Sequence, residues 1–135
     1  MFANKFAAGI LCFLLFSSLA SGGDVMIEFK GETPGSPSNS FDSLVGNWHI
    51  DKDGTTEVYA VDGRRGGPPF PLSVLKEAKD VRNGSMEVSF KTISGREDQA
   101  AGIAFNLKPN GDYLVVRANA LEDNIILFKM EKLRH

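Results

Sequence analysis

One stretch decides the fold class: Gly102-Ile103-Ala104-Phe105-Asn106-Leu107-Lys108-Pro109-Asn110-Gly111-Asp112-Tyr113-Leu114-Val115-Val116-Arg117. Apolar side chains at Ile103, Phe105 and Leu107 alternate with smaller or polar ones, which predicts a strand with one buried and one hydrated face. Within Lys108–Gly111, proline presets φ and Asn-Gly supplies the positive φ values of a hairpin turn. The stretch therefore predicts two antiparallel strands joined by a tight turn.

The same short period extends in both directions along the chain. Met86–Phe90 alternates in the same way, and Ile125–Met130 follows as a further strand. Asp51–Gly54 predicts a second hairpin turn, between strands Trp48–Ile50 and Glu57–Val61. Seven or eight short strands joined by turn signals predict an all-β antiparallel sandwich. The predicted core consists of Trp48, Val88, Phe90, Ile103, Phe105, Val116, Ile126 and Phe128.

The N-terminus has the pattern of a secretory signal peptide. Lys5 precedes an apolar run of eleven residues, Phe6–Phe16, and small residues at Ser18 and Ala20 predict cleavage after Ala20. A membrane-spanning helix needs roughly 20 apolar residues, so no span is expected after cleavage and the protein is expected to be secreted or periplasmic. We divide the chain into a signal peptide (residues 1–20), an N-terminal strand and flexible loop (21–40) and a β-sandwich domain (41–135).

Cysteine content and charge exclude several classes of function. Cys12 is the only cysteine and lies within the predicted signal peptide, so the mature chain can form no disulfide and perform no cysteine chemistry. Without Lys5 the chain has 14 basic and 17 acidic residues, a balance that argues against nucleic-acid binding. Asp51–Gly54 lacks the spacing of an EF-hand calcium loop, and the two histidines are far apart. We therefore expect no metal site and no cofactor.

The connection Arg117-Ala118-Asn119-Ala120-Leu121-Glu122-Asp123-Asn124 is far more polar than a turn requires. One interpretation is that Arg117 pairs with a nearby carboxylate and fixes the loop. The other is that Arg117 and Tyr113, which share a strand face, form a sugar-binding site. The aromatic ring would stack on the apolar face of the sugar, and the guanidinium would donate hydrogen bonds to its hydroxyl groups. The sequence leaves both open. In either case we expect Arg117 to lie within ion-pair reach of at least one of Glu97, Asp98, Glu122 and Asp123.

Four stretches carry a family resemblance: Val81–Lys91, Gly95–Gly102, Asp112–Arg117 and Asn119–Asn124. In this order they resemble the concanavalin A-like lectin/glucanase superfamily, close to the domain named for 3-keto-disaccharide hydrolases and to laminin G-like domains. The resemblance implies a jelly roll of two curved sheets, secretion, and a carbohydrate ligand. Such domains continue beyond the position of Lys132 with further strands. We therefore expect a sandwich that is incomplete at the C-terminus, with uncovered sheet edges that favour self-association or a larger assembly.

These observations support two functional hypotheses. The first is a secreted carbohydrate-binding domain without catalysis, with ligand-binding residues Tyr113, Arg117, Asn119, Glu122, Asp123 and Asn106. The alternative is a glycoside-cleaving enzyme of the 3-keto-disaccharide hydrolase type, with Glu122 or Asp123 as base and Arg117 as stabiliser. The consecutive acids of each connection would point to opposite faces of a regular strand, so neither pair supplies both carboxyls of a glycosidase. No catalytic residue is assigned.

Overall fold

The computed structural model describes residues 6–8, 12–15, 25–63, 70–77, 81–96 and 98–131, the first two ranges by their backbone alone. Within these ranges the chain forms twelve β-strands and no helix, which confirms the predicted all-β class. The strands are β1 (Phe6–Ala8), β2 (Cys12–Leu15), β3 (Val25–Ile27), β4 (Phe41–Val45), β5 (Trp48–Asp53), β6 (Thr56–Val61), β7 (Leu72–Leu75), β8 (Ser85–Glu87), β9 (Lys91–Thr92), β10 (Ala100–Phe105), β11 (Tyr113–Asn119) and β12 (Asn124–Met130).

The strands form four small sheets in which neighbouring strands run antiparallel. Their orders are β5-β6-β1-β9, β10-β11-β12, β3-β2-β8 and β4-β7. We refer to β10-β11-β12 as the C-terminal sheet. It is built by two successive hairpins, as the alternation around the Lys108–Gly111 turn predicts. In that turn the Gly111 amide donates to the Lys108 carbonyl at 2.9 Å, and Gly111 has a φ of 84°.

Two strands come from the segment predicted to be a signal peptide. β1 lies between β6 and β9, and β2 lies between β3 and β8. Ala20 lies outside the described residues, so cleavage there stays a prediction. If it occurs, the edges of β6 and β9 that face β1 lose their backbone partners.

The hairpin predicted at Asp51–Gly54 is confirmed, with its turn displaced by two residues. Asp53 pairs with Thr56 across the hairpin, so Gly54 and Thr55 form the turn and Asp51–Asp53 belongs to β5. Gly54 has a φ of 64°. This left-handed conformation is open to glycine without steric cost, which explains why the turn begins there.

The core lies around β5 and β6 and is largely aromatic. Tyr59 is fully buried; its ring stacks on Trp48 at a centroid distance of 4.9 Å and on Phe41 at 5.1 Å. Its hydroxyl forms hydrogen bonds with the Ser73 hydroxyl at 2.8 Å and the Ser43 hydroxyl at 3.2 Å. The buried cluster is Ile27, Phe29, Ile50 and Tyr59, with Val25, Phe41, Trp48 and Leu75 packed against it.

The predicted core is therefore only partly right. Trp48 packs against the cluster, but Val116 is 38% exposed and Ile126 is 41% exposed. These two lie on opposite faces of the C-terminal sheet, because Val116 pairs with Leu127 and Ile126 pairs with Arg117. Both side chains stay accessible because the described residues do not cover them. The other predicted core residues are half-buried: Val88, Phe90, Ile103, Phe105 and Phe128.

The segment 31–40, expected from its composition to be a loop, lies against the outer edge of β5. The Gly35 amide donates to the Ile50 carbonyl at 2.7 Å, and the Ile50 amide donates to the Ser36 carbonyl at 2.8 Å. Ser38 in the same segment is only 3% exposed. The segment thus supplies partners for backbone groups of an edge strand that would otherwise be open.

Candidate functional site

The predicted site residues of β11 share one face of the C-terminal sheet. Side chains alternate along a strand, so Tyr113, Arg117 and Asn119 point to the same side. Gly102 lies opposite Arg117 in β10. A Cβ at Gly102 would collide with the carbonyl oxygen of Val116, so the two strands approach here more closely than a larger residue allows.

At one end of this face, Arg117 holds two carboxylates from two different connections. Its Nη2 lies 2.7 Å from Glu122 Oε2, and its Nη1 lies 3.5 Å from Asp98 Oδ2. The Arg117 side chain is 23% exposed. The expected ion pair is thereby confirmed. Asp123 is exposed, with a φ of 52° at the end of the turn, and Glu97 lies outside the described residues.

Asn119 ties the same two connections together through its carboxamide. Its Nδ2 donates to Asp98 Oδ1 at 2.6 Å, while its Oδ1 accepts from the backbone amides of Leu121 at 2.9 Å and Glu122 at 3.3 Å. Asn119 is 3% exposed. We call Asp98, Arg117, Asn119 and Glu122 the polar cluster. Because Asn119 is buried and accepts hydrogen bonds from the backbone amides of the turn, it acts as a structural residue.

Gln99 positions the upstream half of the polar cluster. Its side-chain Nε2 donates to the Gly95 carbonyl at 3.0 Å, and its backbone carbonyl accepts from the Ala120 amide at 2.9 Å. A Cβ at Gly95 would collide with the carbonyl oxygen of Asp98, so the chain can fold back sharply here. Sequence reasoning assigned no role to Gln99, because nothing in its local pattern separates it from an ordinary polar residue before a strand.

Asn124, which pairs with Asn119 across the β11–β12 turn, makes fewer contacts. Its Nδ2 donates to Glu122 Oε2 at 3.2 Å. Its Oδ1 is buried and has no hydrogen-bond partner in the described part of the chain, and the same holds for Arg117 Nε. Asn119 therefore bonds backbone groups of the turn, whereas Asn124 bonds a side chain.

At the other end of the sheet lies a shallow pocket of about 120 Å³. Two of the predicted ligand-binding residues, Asn106 and Tyr113, line it. Tyr113 is only 5% exposed, and this burial raises the pKa of its phenol above the ordinary value of 10.0. The full lining is Asn106, Lys108, Asp112, Tyr113, Leu114 and Lys129.

The pocket is shaped by the loop between β10 and β11. Asn106 has a φ of 55°, and the Lys108 amide donates to the Asp112 carbonyl at 2.8 Å, which closes the loop. Lys129 reaches the pocket from β12 because it pairs with Leu114 in the sheet register. It also donates to Glu131 at 2.7 Å, and this hydrogen bond raises its pKa above the ordinary value. Sequence reasoning missed Lys108 and Lys129, which only the strand pairing brings together.

The six predicted ligand-binding residues thus fall into separate groups. Asn106 and Tyr113 line the pocket. Arg117, Asn119 and Glu122 belong to the polar cluster at the opposite end, and Asp123 is exposed in the adjoining turn. Four residues along a strand span about 13 Å, so a single sugar ring at the pocket would not reach Arg117. What the pocket can supply chemically is hydrogen bonding: an amide, two ammonium groups and a carboxylate suit hydroxyl groups.

No group of three or more His, Cys, Asp or Glu side chains placed to hold a metal ion occurs among the described residues. Nor does that part of the chain include a helix long and apolar enough to cross a membrane. Comparison of the chain with protein-family models, with curated proteins and with solved structures found no match.

Proposed function

We propose that this protein binds carbohydrate without catalysing a reaction, and that the ligand contacts the pocket beside Asn106 and Tyr113. The observation that supports the proposal is the pocket's lining, in which donors from Lys108, Lys129 and Asn106 stand next to the acceptor Asp112. Hydroxyl groups both donate and accept, so a sugar can use groups of both kinds.

The size of the pocket sets the expected affinity. Pockets for drug-sized ligands usually measure about 300–1,000 Å³, and this one, at about 120 Å³, holds part of one sugar ring. Tyr113 contributes little contact area, since only 5% of the residue is exposed. Few contacts imply a dissociation constant on the order of 0.1–1 mM, or about 4 to 5.5 kcal/mol.

In this proposal the polar cluster holds the two connections in place. Nη1 and Nη2 of Arg117 are engaged by Asp98 and Glu122, and the Asn119 carboxamide bonds the Asp98 carboxylate and the Glu122 amide. We also propose that the protein is secreted or periplasmic and that its strands belong to a concanavalin A-like jelly roll. The all-β antiparallel architecture and the motifs in Gly95–Gly102 and Asn119–Asn124 support the jelly roll. The signal-peptide pattern of residues 1–20 supports secretion.

A glycan array followed by calorimetric titration of the purified chain tests the proposal. We expect Lys108→Ala to weaken binding of the best glycan, while Lys52→Ala, which removes an exposed lysine from β5, leaves binding unchanged. Arg117→Ala should also leave the affinity unchanged. The proposal fails if no common glycan binds, and the pocket is the wrong site if Arg117→Ala abolishes binding while Lys108→Ala does not.

The alternative, cleavage of a 3-keto-disaccharide, has one geometric feature in its favour. Glu122 Oε2 and the Arg117 guanidinium lie 2.7 Å apart, and the Glu122 side chain is 48% exposed, so the suggested base and stabiliser are adjacent and accessible. Incubation with 3-keto and ordinary disaccharides distinguishes the two functions. Release of monosaccharide that Glu122→Gln abolishes while binding persists would establish the enzyme in place of the binding domain.

A further inference from the structure

β12 lies at one edge of the C-terminal sheet. In the order β10-β11-β12 it pairs with β11 alone among the described strands, and its seven residues do so without a bulge. Its outer edge therefore presents backbone amides and carbonyls that no described strand pairs with, along a regular strand. Such an edge is a template for another strand.

The side chains of β12 add an apolar surface to this edge. Ile125 is 75% exposed, Leu127 is 63% exposed, and Ile126, on the opposite face, is 41% exposed. The strand contains no proline and no glycine, and its one charged residue is Lys129. Prolines, bulges and charged side chains, above all lysine, are the usual features that prevent edge pairing. β12 has no proline and no bulge, and its single charge, Lys129, stands next to its C-terminal residue.

The same chain protects a different edge. On β5, the amide and carbonyl of Ile50 are bonded by Ser36 and Gly35 from the segment 31–40. No described segment plays this part beside β12. The contrast identifies β12 as an edge left open for a partner.

We propose that β12 pairs antiparallel with β12 of a second copy of this chain, with the two-fold axis at Ile126. In this register Ile125 faces Leu127 of the other copy on the more exposed face. Asp123 of each copy then faces Lys129 of the other, so opposite charges meet at both ends. A two-fold axis makes every such contact occur twice. This charge pattern favours a second copy over an unrelated strand.

The ion pair that Lys129 already makes does not oppose this arrangement. Its partner Glu131 is on the same strand end, and the two side chains are 50% and 71% exposed. Exposed pairs of this kind are weak, so Lys129 can turn toward Asp123 of the other copy at little cost. The inference goes beyond the proposed carbohydrate binding and does not depend on it.

Sedimentation equilibrium of the full chain over a wide concentration range tests the proposal. We expect a reversible dimer. Lys129→Glu sets like charges opposite each other at both ends and should weaken dimerisation by about tenfold. The matched control is Lys52→Glu, because Lys52 is also an exposed lysine near a strand end, 53% exposed and paired with Glu57; it should have no effect.

A second pair of variants tests the apolar edge. Ile125→Lys places a charge in the middle of the pairing and should weaken the dimer at least as much as Lys129→Glu. Leu44→Lys, at a residue 49% exposed in β4, should not. A chain that stays monomeric at the highest soluble concentration overturns the proposal. So does a dimer that the β12 variants and the controls affect equally.

Discussion

Replacing Asn119 by alanine is the sharpest test of the polar cluster's structural role. The change removes a 2.6 Å hydrogen bond to the Asp98 carboxylate and two bonds to backbone amides at 2.9 and 3.3 Å. A hydrogen bond to a charged group contributes about 1.5–3 kcal/mol and a neutral one about 0.5–1.5 kcal/mol. The Asp98 side chain is 40% exposed and the turn is open to water, so we assign each hydrogen bond a free energy at the low end of its range. We expect Asn119→Ala to lower the free energy of unfolding by about 2–3 kcal/mol.

Asn124→Ala provides the matched control, because Asn124 is the direct cross-strand partner of Asn119. The two variants change β-propensity at equivalent positions of the same hairpin. Asn124 donates one hydrogen bond, 3.2 Å long, to an exposed carboxylate. That bond to a charged group counts at about 1.5 kcal/mol, but the replacement also removes the buried Asn124 Oδ1, which has no partner in the described part of the chain and whose burial costs about 1 kcal/mol. The net cost should therefore be about 0.5 kcal/mol.

Urea unfolding, followed by fluorescence of the single tryptophan and by circular dichroism, measures both changes. Trp48 packs on Tyr59 in the core, so coincident transitions would show that the C-terminal sheet unfolds together with the core. The reasoning is refuted if the two variants differ by less than about 1 kcal/mol.

Three further changes have defined outcomes. Arg117→Ala should cost only about 1 kcal/mol in urea unfolding, because the carboxylates it leaves are 40% and 48% exposed and stay hydrated; a loss above about 3 kcal/mol would contradict this. Gly102→Ala should lower the melting temperature, at a cost of about 1–3 kcal/mol, because its Cβ would collide with the Val116 carbonyl; an unchanged melting temperature would show that the strands can separate. Burial raises the pKa of Tyr113 above 10.0, so the phenol loses its proton more easily in the unfolded chain than in the folded one. Stability, measured as the urea midpoint, should therefore fall as pH rises above about 10. In Tyr113→Phe this contribution to the fall should be absent.

Local signals in the sequence were sufficient to predict the hairpins. Pro109 and Gly111 specify a turn through their own φ preferences, and the turn forms where they place it. At Asp51–Gly54 the turn moves by two residues, because Gly54 takes the positive φ while Asp53 extends the strand. These outcomes depend on a few adjacent residues and need no knowledge of the rest of the chain.

Core membership could not be predicted in this way. Alternation shows that Val116 and its neighbours divide between two faces, but it does not show which face another layer covers. The core forms instead around Tyr59, whose hydroxyl is satisfied by Ser43 and Ser73 from β4 and β7. These partners are 16 and 14 residues away in the chain, and only the pairing of β4 with β7 brings them together.

The same limit applies to the candidate site. The charge around Arg117 was enough to predict at least one ion pair, because Glu122 lies five residues away, whereas Asp98 lies 19 residues away and is brought close by the pairing of β10 with β11. A shared strand face, however, does not imply a shared ligand: Tyr113 and Arg117 point the same way but lie at opposite ends of β11. Lys129 joins the pocket through the register of β12, which a single sequence does not specify.

The contact between segment 31–40 and β5 has a practical consequence for anyone who shortens or labels the protein. Its proline, serine and glycine content marks it as a spacer that could be cut away. A chain trimmed to begin at Phe41 would remove both backbone partners of Ile50, whose side chain is fully buried. Thr55, the exposed neighbour of Gly54 in the β5–β6 turn, offers a place for a fluorophore that leaves both this edge and the positive φ of Gly54 intact.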